Sequence, residues 1–442
     1  MKYQRLSTRQ NLAMTWWNRP GFEVYDGIIC DGSIRSGKTV AMTVGFIMWA
    51  MTRFDGCNFA ICGKTIESLR RNVTSNLPVW LAGVFSFKEH RTENKIVVSA
   101  NGKSNSFYLF GGKDEGSQDL IQGITLAGAL FDAQPEQVVF TMNATHALNL
   151  AIKTLVKPGG RAVISGFEHN AVLRPLHHLG AEIIVAGRRL FDPADTISAF
   201  DRAITPGTSA VICTHVSNVF GYILPVEEIA ALCRARGVPF VLDASQSAGL
   251  LPVRLAELGA DFIGMPGHKA LYGPQGTGLL LCARMPDTLL EGGSGSASRL
   301  PDMPPELPDH AEAGTQNVCG ICGLAAGLRF VRQQTPQRLL AHEIRLRRLL
   351  ASMLEDIPGI RLFTGAAQSG TLSLCAAQTD CETLAARLAS EGICVRAGLH
   401  CAPLAHESAG TLETGTVRFS LSAFNTEREI LEIAKHIRSC LK

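Results

Sequence analysis

Two sets of residues in this chain could do chemistry, and they differ in kind. The first is Gly32-Ser33-Ile34-Arg35-Ser36-Gly37-Lys38-Thr39. This is phosphate-loop spacing: loop N–H groups cradle phosphates at a helix N-terminus, Lys38 pairs with the outer phosphates, and Thr39 holds Mg²⁺. The second set lies downstream. Val241-Leu242-Asp243 ends an apolar run on a carboxylate, and Gly264-Met265-Pro266-Gly267-His268-Lys269 puts a lysine just past another run. A lysine amine forms a Schiff base with an aldehyde, and a carboxylate against a pyridine nitrogen keeps that ring protonated, so that it takes up electrons from a carbanion. Pyridoxal phosphate (PLP) chemistry needs both groups. Asn218, after the run ending at Thr214, and His169, after the run ending at Ser165, add to the same set.

The elements that must position these residues follow from apolar runs. A strand at 27–31 leads into the glycine loop, and a helix starts at Lys38. The apolar stretch 40–51 is too short to span a bilayer and reads as a buried helix. Further strands are expected at 59–62, 96–99 and 107–110, and the run 124–131 reads as a strand ending in Asp132. After residue 133, strands are expected at 137–140, 162–165, 182–185, 210–214, 240–242, 262–265 and 278–282, with helices at 147–155, 225–236 and 254–258 between them. Alternation of this kind predicts a mostly parallel sheet covered on both faces, with ligands at the strands' carboxyl ends.

Residues 133–442 resemble the class V aminotransferase-like cysteine desulfurases and selenocysteine lyases of PLP fold type I. The resemblance rests on Thr141-Met142-Asn143-Ala144-Thr145, Glu168-His169-Asn170, Ser217-Asn218-Val219-Phe220-Gly221, Asp243-Ala244-Ser245-Gln246, Gly267-His268-Lys269, Glu312-Ala313-Gly314-Thr315-Gln316-Asn317, Arg396-Ala397-Gly398-Leu399-His400-Cys401 and Arg418. It implies that Lys269 is the Schiff-base lysine and catalytic base, that Asp243 pairs with the pyridine nitrogen, and that His169 stacks on the ring. Asn218 and Gln246 would contact the ring's oxygen side, Thr145 and His268 would hold the phosphate, and Thr315 would reach the cofactor of a neighbouring subunit in a homodimer. Arg418, with Arg396 nearby, would clamp a substrate carboxylate, as a planar guanidinium fork favours. Cys401 would accept sulfur from L-cysteine or a related small amino acid as a persulfide, leaving alanine. His400 and Arg396 beside it are groups that favour a thiolate. The family's opening strand has no counterpart here, His146 stands where the family has Glu, and Pro266 replaces a Ser. These departures imply cofactor binding with reduced turnover.

Residues 1–132 resemble the ATPase half of a phage terminase large subunit. That resemblance implies Mg-ATP at Gly32, Gly37, Lys38 and Thr39, with Asp132 on the metal. Ala133 stands where the family has the carboxylate that activates water, so motor activity is not expected.

The fold expected is thus α/β: a fold type I PLP-dependent transferase preceded by a partial P-loop NTPase segment. The segments are 1–132 (terminase-like), 133–323 (large PLP-binding domain), 324–357 (one connecting helix) and 358–442 (small α+β domain). No Pro/Gly/Ser-rich linker marks the junction, which reads as a fusion of unrelated pieces. A desulfurase, a nucleotide-binding ATPase fragment and an inactive chimera all remain open.

Composition narrows the class. With 442 residues, 46% apolar and 18% charged, the chain is expected to be globular. A net charge of +3 does not call for DNA, and no stretch calls for a membrane. Thirteen cysteines without disulfide-framework spacing point to a reducing, cytoplasmic compartment, with a sulfur-acceptor protein as the implied partner. Cys319 and Cys322 have CxxC spacing but no second pair, so a structural role is expected there.

Overall fold

A computed structural model describes residues 6–22, 38–63, 69–70, 73–90, 95–111, 123–294 and 299–441. The chain divides into two units, Met1–Leu120 and Ile121–Lys442. The division falls before the expected junction at Asp132/Ala133, for a reason visible in the second unit.

In the first unit, Ser7 and Gln10 form a capping box that starts the helix Thr8–Thr15. This helix packs on the apolar helix Lys38–Arg53 so closely that a Cβ at Gly45 would lie 2.6 Å from the Met14 carbonyl oxygen. Four strands follow: β1 (Asn58–Gly63), β2 (Ser86–His90), β3 (Lys95–Ala100) and β4 (Lys103–Gly111), in the order β1-β4-β3-β2. Only the β1–β4 pair is parallel. Ile47, Val98 and Phe107 are buried between helix and sheet, and Phe59 stacks on Phe107 at 5.1 Å between ring centroids. Buried Asn105 ties the end of the helix to β1, donating to the Phe54 carbonyl and accepting from the Cys57 N–H. The three strands expected at 59–62, 96–99 and 107–110 are present. The strand at 27–31 and the glycine loop lie outside the described residues.

The second unit begins with a helix, Gly123–Phe131, where the sequence suggested a strand. An apolar run of this length has no decisive period, and tertiary packing settles it: Ala127 and Phe131, four residues apart, lie in the main core, and the helix packs on helix Val318–Gln334. It ends in a Schellman turn, with Asp132 at φ 52° and the Ala133 N–H donating to the Gly128 carbonyl. Asp132 is therefore an exposed helix terminator and not a strand-end metal carboxylate.

A seven-stranded sheet forms the body of this unit: β5 (Val138–Thr141), β6 (Arg161–Ser165), β7 (Glu182–Ala186), β8 (Thr208–Thr214), β9 (Phe240–Asp243), β10 (Phe262–Pro266) and β11 (Gly278–Cys282). Its order is β5-β11-β10-β9-β8-β6-β7. β7, β6, β8, β9 and β10 run parallel, and β11 is antiparallel to both β10 and β5. β5 thus points the same way as the parallel set, so the carboxyl ends of six strands meet at one edge. β5, β8, β9, β10 and β11 are buried along almost their whole lengths, as a sheet covered on both faces requires.

The single connecting helix expected over 324–357 is two helices, Val318–Gln334 and Pro336–Leu354. Thr335 sits between them at φ 64°, before a proline that disfavours helical backbone at the residue preceding it. The second helix packs on a four-stranded antiparallel sheet of β12 (Ile360–Phe363), β13 (Thr371–Ala376), β14 (Arg396–Gly398) and β15 (Thr416–Ser420), in the order β12-β13-β15-β14. Leu346, Leu350, Leu374, Leu388, Phe419 and Ile430 are among the residues that fill this smaller core.

Candidate functional site

Because β6, β8, β9 and β10 are parallel, the residues just past their ends are neighbours. His169 follows β6, Asn218 follows β8, Asp243 ends β9 and Lys269 follows β10. All four line one cavity of about 240 Å³, together with Thr145, Gln246 and His268. Seven of the eight cofactor residues expected from the sequence are thereby brought together. Thr145 lies in the first turn of helix Ala144–Leu155, which Asn143 caps by accepting from the His146 N–H. This end of a 12-residue helix opens on the cavity, where N–H groups and the helix dipole favour an anion.

Asp243 is 2% exposed and accepts from the Ser245 N–H at 2.9 Å. His169 caps helix Asn170–His178 by accepting at Nδ1 from the Ala171 N–H, which leaves the ring proton on Nε2. Burial lowers the His169 pKa, opposed by Asp243 and reinforced by Lys269. Lys269 lines the cavity and is exposed through its opening, with protein packed around the rest of the side chain. Burial lowers its pKa, Asp243 pulls it back up, and Arg418 lowers it again. The amine is thus held closer to its neutral, nucleophilic form than a surface lysine would be.

Behind this edge stands a residue whose role the sequence did not disclose. Glu168 is fully buried and accepts from the Ser165 hydroxyl at 2.5 Å and the Thr214 N–H at 2.7 Å, both at Oε1. Burial raises its pKa to about 8, against the two hydrogen bonds and with the Asp243 charge. Glu168 thereby ties the end of β6 to the end of β8. Its only sequence signal is its place beside His169.

The smaller sheet supplies the other side. Arg396 on β14 and Arg418 on β15 are register partners. Arg418 donates to the Asn218 carbonyl at 2.8 Å, and its buried Nε has no partner among the described residues. Burial lowers its pKa, helped by Arg396 and opposed by Cys401. Cys401 is exposed, and its carbonyl accepts from the Asn170 N–H at 2.7 Å, directly after His169. His400 is buried, with its pKa driven down to about 3 by burial and then by Arg418 and His406. It is uncharged and lends no positive charge to the thiol; Arg418 is the cation coupled to Cys401.

Thr315 is not in this cavity. It is exposed and lines a second one of about 200 Å³ with His146, Glu312 and Asn317. Gly32 and Gly37 lie outside the described residues, Lys38 and Thr39 open a helix as expected, and Asp132 belongs to the other unit. Cys319 and Cys322 sit in the first turns of helix Val318–Gln334, and no cluster of metal-ligating side chains occurs among the described residues. None of the described helices is long and apolar enough to cross a membrane.

The family model for class-V aminotransferases matches residues 125–433. The chain is 34% identical over 331 residues to a probable cysteine desulfurase of Mycolicibacterium paratuberculosis, covering 71% of this chain and 47% of that protein. It is 32% identical over 320 residues to a probable cysteine desulfurase of Methanothermobacter thermautotrophicus, covering 68% and 78%. The solved apo structure of a cysteine desulfurase from Thermococcus onnurineus NA1 is similar with a TM-score of 0.66 at 28% identity, covering 73% of this chain and 84% of that one. The chain spans about half the length of the Mycolicibacterium paratuberculosis protein and of a probable cysteine desulfurase 1 of Mycobacterium leprae, 47% and 51%. With its strand-end lysine, carboxylate and histidine around one cavity and a match over most of its length, the chain belongs to the class-V aminotransferase family.

Proposed function

We propose that the second unit is a PLP-dependent cysteine desulfurase, converting L-cysteine to L-alanine with transfer of sulfur to Cys401. The observation that carries this reading is the convergence of Lys269, Asp243, His169 and Thr145 on one cavity whose neighbouring loop bears an exposed cysteine. The donor set fits PLP: a depressed lysine amine for its aldehyde, a buried carboxylate for its ring nitrogen, and a helix N-terminus with Thr145 and His268 for its phosphate. Asn218 and Gln246 would flank the ring oxygen, and His169 its face. When bound, PLP supplies an electron sink for the substrate's Cα.

The chain's own groups then divide the work. Arg418, whose Nε has no partner among the described residues, takes the substrate carboxylate, with Arg396 alongside. Lys269 removes the Cα proton as general base. The Cys401 thiolate forms an S–S bond to the substrate sulfur as the substrate C–S bond breaks; the carbon keeps the electron pair and gains a proton to become the alanine methyl. Thr315, which lines the separate cavity, would serve a neighbouring subunit in a homodimer. A sulfur-acceptor protein in the cytoplasm would consume the persulfide.

The test is absorbance and product: added PLP should turn the protein yellow, and cysteine should yield alanine and a persulfide on the peptide containing Cys401. A protein that gains no visible absorbance with PLP overturns the reading.

For the first unit we propose a terminase-derived segment that binds Mg-ATP at most weakly through Lys38 and Thr39, without turnover. Lys38 at a helix start, directly after the glycine-bearing sequence 32–37, supports it. Robust ATP hydrolysis abolished by Lys38→Ala would place the activity in the wrong unit.

A further inference from the structure

The backbone that presents Cys401 is unusual. His400 and Cys401 are consecutive non-glycine residues in the left-handed region, at φ 51° and 58°. Side chains disfavour that region, and a run of two persists only where the surroundings impose it.

Three sets of contacts impose it here. His400 Nε2 lies 3.2 Å from the Thr416 carbonyl oxygen and 3.1 Å from its hydroxyl, at the first residue of β15. The carbonyl can only accept, so the proton is on Nε2. The His400 ring also stacks on His406 at 5.7 Å between centroids, and His406 is bound in turn to the Thr411 hydroxyl. From the sheet edge, the Asn218 side-chain amide donates to the His400 carbonyl at 2.8 Å, and the Asn170 N–H donates to the Cys401 carbonyl at 2.7 Å. His400 is buried while the next residue, Cys401, is exposed, so one residue anchors the turn and the other is displayed.

We propose that His400 is a positioning residue: its imidazole, pinned on Thr416 and packed on His406, locks the left-handed pair and fixes where the Cys401 sulfur meets the substrate. It acts on placement and not on the ionisation of the thiol. This rests on the reading of Cys401 as sulfur acceptor, so the test carries a readout that needs no turnover.

The variants are His400→Ala, His400→Asn and His400→Gly in the full chain loaded with PLP. Amide exchange over 168–172 and 397–402 should rise in the Ala and Gly variants and recover in the Asn variant, since Asn tolerates the left-handed region and bonds locally. Persulfide formation at saturating cysteine should fall about 10- to 100-fold in the Ala variant, as a misplaced reacting atom implies, with KM little changed. Iodoacetamide should alkylate Cys401 at the parent rate in all variants, read on the tryptic peptide 397–418, whose only cysteine it is. Alkylation that falls in step with turnover would show that the imidazole acts on the thiol itself and overturn the proposal. Unchanged exchange in His400→Ala would overturn it as well. If the Ala variant fails to fold, the Gly variant, free of the Cβ strain, carries the same comparison. A parent protein that transfers no sulfur would sink the desulfurase reading, while the exchange data would still decide the role of His400.

Discussion

The sheet edge and the cysteine loop hold their reactive groups by opposite means. At the edge, Asp243 ends a strand buried at every residue, and Lys269 and His169 follow strands within a few residues, so the hydrogen-bond ladder itself sets their positions. In the loop, Cys401 is exposed on left-handed backbone, and besides the His400 anchor on Thr416 its only tethers to that same edge are single hydrogen bonds from Asn170 and Asn218 among the described residues. Groups that act on a held cofactor need rigidity. On the proposed reading, a thiol that receives sulfur and passes it on needs exposure, and Cys401 is tethered to the rigid part instead of being built into it.

Substitutions separate these two strategies. Lys269→Ala should bleach the visible absorbance and reduce alanine formation by about 10²–10⁴-fold, the range expected for a lost general base. Cys401→Ala should reduce protein persulfide to background while leaving the absorbance intact; a loss of absorbance would mean that loop and edge are not separable. Glu168→Ala should destabilise the protein by about 1–3 kcal/mol in urea unfolding, because the buried Thr214 N–H loses its acceptor. Glu168→Gln keeps an acceptor oxygen and should cost less.

The Gln variant should also alter the pH dependence of stability. The folded pKa of Glu168, about 8, lies above its unfolded value of 4.5, so its contribution is complete below pH 4.5 and is lost as pH rises toward 8. Thermal midpoints measured between pH 5 and 8 should fall less steeply in Glu168→Gln than in the parent. The smallest effect is expected at the exposed pair Arg188–Glu407, 3.3 Å apart, which joins the helix after the cysteine loop to the segment after β7. Glu407→Gln should change stability by about 0–1 kcal/mol.

What the sequence disclosed follows the same division. Every expected strand of the large sheet is present within a residue or two, because buried parallel strands are short apolar runs between turn residues, and the residues after them could be placed by counting. The largely apolar run of helix Gly123–Phe131 has no decisive period, so the sequence points to a strand and makes Asp132 a strand-end carboxylate, whereas it terminates a helix. The break at Thr335 is signalled in the sequence only by Pro336. Positive φ at His400 and the acceptor role of Glu168 had no signal of their own, since both arise from partners distant in sequence: Thr416 for His400, and Thr214, 46 residues away, for Glu168.

The position of β5 has a kinetic consequence. It is the first strand of its sheet to be synthesised, yet its ladder partner is β11, through Thr141↔Gly278, and the Phe140 N–H waits for Glu312, 172 residues further on. During translation Val138, Val139 and Phe140 stay without their native cover until most of the large sheet has emerged. Such long loop closures come late and slowly. The helix N-terminus proposed to hold the cofactor phosphate follows this strand directly, so that end of the proposed site waits on β11, the last strand of the large sheet to be made.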